Sequence, residues 1–310
     1  MKSIIDKFIR FLESLRFTLT PNPFLLNGWF NYSFKCLEHR NYGDELNIYL
    51  LKNLLPTKNI FNVINTCRWA TKNAINYLVI GSLIEEFTTA NSIIWGAGAI
   101  EGGSHVLRNK PYEVKAVRGH LTREFLLKNQ VDCPEVYGDP ALLTPLIYNR
   151  EVSKKYELGI IPHVSEINHP DVKRLEQVGV KVIRFDKYND WHDVIDEIRS
   201  CRGIVSSSLH GLILSDAYSI PNAWISLNDD LLGGYFKFHD YFSGVHRDQN
   251  YPLKVNARIS KDELLKQVSR WTPITFDPMP LIESAPWTLI FNIKDIYEIA
   301  SYTKYNNSSL

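Results

Sequence analysis

GIVSSSLHGLILSDAYSIPNAWISL, residues 203–227, is the stretch from which the fold is read. Gly203–Ser207 is a short apolar run of the length of a buried strand. Leu209, Leu212, Ile213 and Ala217 then recur at helical spacing and make the inner face of a helix. Pro221 closes that unit before a second apolar run, Ala223–Leu227. Strand, helix and strand in that order, with both strands apolar throughout, mark a parallel sheet covered by helices. His210 therefore falls where the carboxyl end of a strand turns into a helix. It is the one side chain of the turn that changes charge near neutral pH. A helix amino terminus lowers imidazole basicity and attracts anions. Ser206, Ser207 and Ser208 add hydroxyls, and Gly211 permits close approach. The competing reading is a histidine that caps its own turn. A serine nucleophile beside it is disfavoured, because no Gly-x-Ser-x-Gly elbow is present.

The same alternation extends in both directions. Strands are expected at 77–82, 92–96, 113–118 and 135–139, and again at 158–163, 180–185, 203–207 and 223–227. Between them, Asp190 is set to cap a helix whose apolar stripe is Trp191, Val194, Ile195 and Ile198. Ser260 and Glu263 form a capping box. The polar, aperiodic stretch 144–157 separates the two series. The pattern predicts an α/β protein of two Rossmann-like domains, 1–150 and 151–275, with parallel sheets facing a cleft. Residues 276–310 are expected to return across both halves, partly as a helix. Ligands of such sheets bind beyond the carboxyl ends of the strands.

Composition narrows the function. The chain has 310 residues, a formal net charge of +1 and 45% hydrophobic content, as expected of a soluble globular protein. Near-neutral charge argues against a nucleic-acid partner, and no apolar run approaches the length of a membrane span. The start, MKSIIDKFIRFLESLRF, is interrupted by Asp6, Arg10 and Glu13 and is not a signal peptide. It reads as an amphipathic helix with Ile4, Ile5, Phe8, Leu12 and Leu15 on one face. Packing of that face on the body is the expected role, and contact with a membrane surface is the alternative. Cys36, Cys67, Cys133 and Cys201 lack metal spacing and are expected to be reduced, as in a cytoplasmic protein.

Several residues near strand ends are candidates for chemistry. Gly96, Gly98, Gly102 and Gly103 could let backbone N–H groups hold an anion, but the spacing is not that of a nicotinamide site. Arg118, at the end of a strand, and Arg123, in the next helix, could grip a carboxylate or phosphate. Asp44, in NYGDELN, reads first as an N-cap and second as a general base. His163 follows a proline at a strand end. The segment GGYFKFHDYFSGVHRD is expected to be a glycine-hinged loop that carries Lys237, His239, Asp240, His246, Arg247 and sugar-stacking rings.

Taken in order, NYGDELN, WGAG, AVRGHLTREFL, VYGDPALLTP, IPHV, SSSLHGLILSDAYSIP and GGYFKFHDY resemble the polysaccharide pyruvyltransferases, most closely those that decorate bacterial exopolysaccharide or capsule repeat units. The resemblance spans residues 41–242. It implies a GT-B-like pair of Rossmann-like domains, phosphoenolpyruvate as donor and a sugar diol as acceptor, with a pyruvate ketal and phosphate as products. Arg118 matches the family's donor-binding arginine. His210, with Ser207, Ser208 and Leu209, matches its Arg-Leu-His or Ser-Leu-His motif. Ser208 stands where some members have arginine, so Lys237, with Arg247, is expected to supply the missing cation. Asp44 matches the family's Gly-Asp. His210 is then expected to act as acid or to handle phosphate, with Asp44 as base. Arg118, Arg123, His163 and Gly98 are expected around the substrates. Phosphoenolpyruvate is a co-substrate; no cofactor or metal is called for. The acceptor is open between a free and a lipid-linked sugar, and in the second case the first helix would hold the enzyme at the inner membrane face. Two rivals remain: a GT-B nucleotide-sugar glycosyltransferase and a non-catalytic glycan-binding protein.

Overall fold

Two five-stranded parallel sheets, each covered by helices, carry the chain. The computed structural model describes residues 2–102, 106–228, 234–292 and 296. In the first sheet the strands lie side by side as Ile60–Asn62, Phe24–Leu26, Asn76–Leu78, Ser92–Trp95 and Glu113–Ala116. In the second they lie as Leu253–Lys254, Asn222–Ser226, Cys201–Ser206, Tyr156–Ile161 and Lys181–Val182. Numbered by sequence within each sheet, both have the order 2-1-3-4-5. This is the flavodoxin-like winding, whose switch point lies between the first and third strands. The α/β expectation and its parallel sheets hold.

The second sheet shows why the quoted stretch is decisive. Val205 pairs with Ile160 on one side and Ala223 on the other, which leaves both faces of the strand to helices. The Leu209–Ala217 helix follows at once, with Leu209, Leu212, Ile213 and Leu214 in the core. Asp190 caps the Trp191–Ser200 helix and Ser260 caps Lys261–Val268, both as capping boxes. All four cysteines are free thiols.

Four expectations need correction. Residues 135–139 form only an isolated bridge, Val117 to Tyr137, because Gly138 turns at φ +135° and Asp139 then caps the 3-10 run Pro140–Leu146. Thr144 thus belongs to a buried run that shares a core with the Leu209–Ala217 helix, not to a polar linker. Residues 285–292 are not helical. Trp287 instead packs edge-on against Phe24, Tyr77 and Trp95, and Trp95 Nε1 donates to Leu281 O at 2.9 Å. The rest of the C-terminal expectation lies outside the described residues, apart from residue 296. The fourth correction concerns the first helix, Lys2–Leu19. It docks through Glu13, Ser14 and Phe17, while Ile4, Ile5, Phe8 and Leu15 face outward.

Candidate active site

The amino end of the Tyr42–Leu54 helix reaches from the first half onto the second. Tyr42 N donates to Phe185 O at 2.7 Å, and Tyr42 Oη donates to Trp191 O at 2.9 Å. Asn47 ties the helix to its own sheet, since its amide donates to Ile80 O while its carbonyl accepts from Ile80 N. This clamp lays Gly43 against the His210 ring. A Cβ at Gly43 would fall 2.6 Å from His210 Cγ and 2.9 Å from its Cβ. The Gly-Asp of one half and the Leu-His-Gly of the other are thereby in contact. His210 and His163 follow the third and first strands of the second sheet, on either side of its switch point.

Asp44 is not the N-cap. Asn41 is, with its carbonyl accepting from Gly43 N, and Glu45 Oε1 accepts from Asn41 N at 2.9 Å. Among the described residues the Asp44 carboxylate accepts one side-chain hydrogen bond, from the Asn41 amide at 2.8 Å. Burial pushes its carboxyl up to about 7, against the opposing pull of that amide and of the Lys237 ammonium. His210 is buried, and its Nε2 has no hydrogen-bond partner among the described residues. Burial, and then the charges of Arg118 and Lys237, lower it to about 3, so the imidazole is neutral. It does not cap its own turn; Ser206 Oγ does that work by accepting from Ser208 N at 3.0 Å.

Lys237 joins this group. Burial and the neighbouring Arg118 bring its ammonium down to about 8, while Asp44 and Glu166 favour the charge. Its charge is in turn felt at Asp44, His163 and His210. His163 is lowered to about 4 by burial and by Lys237, and its Nδ1 lies 2.7 Å from Ser165 Oγ. Ser207 Oγ accepts from His163 N at 3.0 Å and donates to Glu166 Oε2 at 2.5 Å. Leu209 contributes its place at the helix start, with its side chain in the core.

Arg118 is fully buried. Its Nε donates to Asp240 Oδ2 at 2.8 Å, its Nη1 to Ser82 Oγ at 2.7 Å and its Nη2 to Ala99 O at 2.6 Å. Gly98 makes room for it, because a Cβ there would fall 2.5 Å from Arg118 Nε. Asp240 also accepts from Thr122 N and Thr122 Oγ1, both at 2.7 Å. One buried pair thus fixes the arginine and locks the Phe236–Gly244 helix to the His120–Lys128 helix.

Other expected residues lie elsewhere. Arg247 donates to Asp216 Oδ2 at 3.1 Å and Asn222 Oδ1 at 2.7 Å, at the edge of the second sheet where strands begin. It cannot replace the cation missing at Ser208. Arg123 turns to Cys133 O at 3.1 Å and to Glu135 at 3.2 Å. The N–H groups of Ile100, Glu101 and Gly102 do bind an anion, but it is the protein's own Glu85 carboxylate. Gly103 and Gly233 lie outside the described residues. The aromatic segment is a helix rather than a stacking platform. Phe238, Tyr241 and Phe242 are core, and Phe238 stacks on Trp224 at 4.5 Å. Helical spacing leaves Lys237 off that face and so frees it for the site. Sequence alone singles out none of Glu166, Ser82 and Asn41, and places Asp240 only among the charged residues of the aromatic segment. A glutamate three residues past His163 and an aspartate three past Lys237 were the available signals.

Comparison with known proteins fits this geometry. Residues 41–229, more than half of the chain, match the family model described as polysaccharide pyruvyl transferase. The succinoglycan biosynthesis protein ExoV of Rhizobium meliloti (strain 1021) is 28% identical over 237 residues, which is 71% of this chain and 67% of that protein. The uncharacterised protein L143 of Acanthamoeba polyphaga mimivirus is 29% identical over 216 residues, 67% of this chain and 73% of that protein.

Proposed function

The chain belongs to the polysaccharide pyruvyl transferase family, and we propose that it moves the pyruvyl group of phosphoenolpyruvate onto two hydroxyls of one sugar. The products are a pyruvate ketal and phosphate. The observation that supports this most is the contact of Gly43-Asp44 with His210 across the two halves, within the field of the Lys237 ammonium. A trianionic donor needs fixed positive charge; half-buried Lys237 supplies it, and fully buried Arg118, paired with Asp240, adds its field behind.

The proton inventory suggests the reverse of the roles expected from sequence. A carboxyl that titrates near 7 is protonated often enough to give its proton to the methylene carbon. Neutral His210 then accepts the proton of the first attacking hydroxyl, as the oxygen joins C2. The imidazolium passes that proton to the leaving phosphate. Ionised Asp44 takes the proton of the second hydroxyl as it closes the ketal. One hydroxyl proton has then ended on phosphate and the other has restored Asp44. Lys237 holds the donor's anionic groups throughout, Arg118 fixes the positive field behind it while bonded to Asp240, Ser82 and Ala99 O, and His163 with Glu166 lines the side beyond Lys237.

The test has two parts. Calorimetry should show binding of phosphoenolpyruvate and none of UDP- or GDP-sugars. A panel of glycosides should then yield one that gains the mass of pyruvate less water, with stoichiometric phosphate. Binding of a nucleotide-sugar with no response to phosphoenolpyruvate would transfer the site to the glycosyltransferase reading.

A further inference from the structure

The first helix carries its apolar stripe on the wrong side for a helix that merely packs on a domain. Ile4 is 73% exposed, Phe8 60% and Leu19 82%, with Ile5, Phe11 and Leu15 also exposed. The docked side is the opposite one. Ser14 Oγ accepts from Cys67 N at 2.6 Å, buried Glu13 pairs with Arg16, and Phe17 meets Phe61 edge-on. A polar side is thus turned inward and held by specific bonds, while the apolar side is left in water. Burying such side chains is worth roughly 1.5–3 kcal/mol each, so the arrangement favours a surface that can receive them.

The patch extends beyond the helix. Trp69, 51% exposed, lies 6.4 Å from Phe11 and adds an indole, a ring suited to a membrane–water boundary. The charges around it have one prevailing sign. Lys7, Arg10, Arg68 and Lys72 are exposed on or beside the two helices, against Asp6 alone among their acidic groups, since Glu13 is buried. An apolar stripe rimmed by lysine and arginine is the form of a helix that lies in the plane of an anionic lipid surface. No helix of the described residues is long and apolar enough to cross a membrane.

We propose that Ile4, Phe8, Phe11, Leu15, Leu19 and Trp69 form a docking face that holds the protein flat on an anionic membrane. This stands independently of the pyruvyl-transfer reading, because none of these residues lies at the candidate site.

The test is flotation of the full chain with vesicles of phosphatidylcholine, alone or mixed with phosphatidylglycerol, together with light scattering in vesicle-free buffer. The parent should float with the mixed vesicles and lose that association as salt rises. Phe8→Glu should lower vesicle binding at least about tenfold with Tm unchanged, because the side chain is already in water. Lys7→Ala and Lys72→Ala should each lower binding to mixed vesicles about fivefold. The proposal fails if the parent floats with neither vesicle. It also fails if the parent is a dimer that Phe8→Glu splits, since a second copy would then cover the face. Amide exchange across residues 4–19 should slow when vesicles are added. Equal protection without them would mean that another part of the chain covers the stripe.

Discussion

Gly43→Ala isolates the contact on which the candidate site depends. Gly43 is a helical residue near the start of Tyr42–Leu54, so alanine there should improve the helix by about 1 kcal/mol. Against that gain stands the His210 ring. The new methyl would lie 2.6 Å from His210 Cγ, where ordinary contact begins at 3.4 Å. Ring or helix must withdraw by roughly 1 Å, and overpacking of this kind costs about 1–3 kcal/mol. The two terms nearly offset, so Tm should fall by no more than a few degrees. Activity should respond quite differently, because a misplacement of ~1 Å can cost about a hundredfold in rate. Phosphate release with the glycoside that the panel selects is the assay, run beside His210→Ala and the double variant. If the methyl acts by displacing His210, the double variant should be no slower than His210→Ala alone. Turnover within about threefold of the parent at unchanged Tm would refute the placement of His210 at the reacting centre. Independent, multiplicative losses in the double variant would do the same.

Asp44→Asn should abolish turnover and change the pH dependence of stability. The Asp44 carboxyl is raised from 3.8 to about 7, so its contribution is fully present below about pH 4 and lost as pH rises through 7. The variant should therefore be more stable than the parent at pH 8, by roughly 1–2 kcal/mol, and less dependent on pH between 4 and 7. Asp139, also raised to about 7 by burial, should leave a residual slope in urea titrations of both proteins. Lys237→Ala should weaken phosphoenolpyruvate binding roughly 10- to 100-fold by calorimetry. Parent binding should decline above about pH 8 as the ammonium is lost, and a pH-independent Kd would remove Lys237 from the donor site. Asp240→Ala leaves Arg118 buried without its carboxylate and should cost about 3–5 kcal/mol, a fall in Tm of roughly 6–20 °C by calorimetric scanning. A fall of only a degree or two would mean that the pair does not lock the two helices.

What the sequence disclosed, and what it hid, follows from the range of each interaction. The second sheet was legible because Gly203–Leu227 states strand, helix and strand within 25 residues, and each boundary is local: the serines 206–208 at the turn, Pro221 at the stop. The first and second strands of the first sheet, Phe24–Leu26 and Ile60–Asn62, were not, since three residues are too few to show a period. Asp44 looked like a cap because any aspartate after a turn does; only the bond from Gly43 N to Asn41 assigns the cap elsewhere and leaves Asp44 to the cleft. Arg118 and Lys237 were chosen for their charge, and so was Arg247. The three differ in what lies opposite across more than 20 residues of chain: Asp240 for Arg118, the Asp44–Glu166 pair for Lys237, Asp216 for Arg247. No local pattern carries that information. The amphipathic first helix makes the same point in reverse. Its stripe was visible at once, but periodicity gives only the existence of an apolar face. Which side the domain takes depended on Ser14, Glu13 and Phe17 finding partners at Cys67, Arg16 and Phe61, and those partners took the polar side. A stripe that the protein could have buried and did not is a statement about what lies outside it.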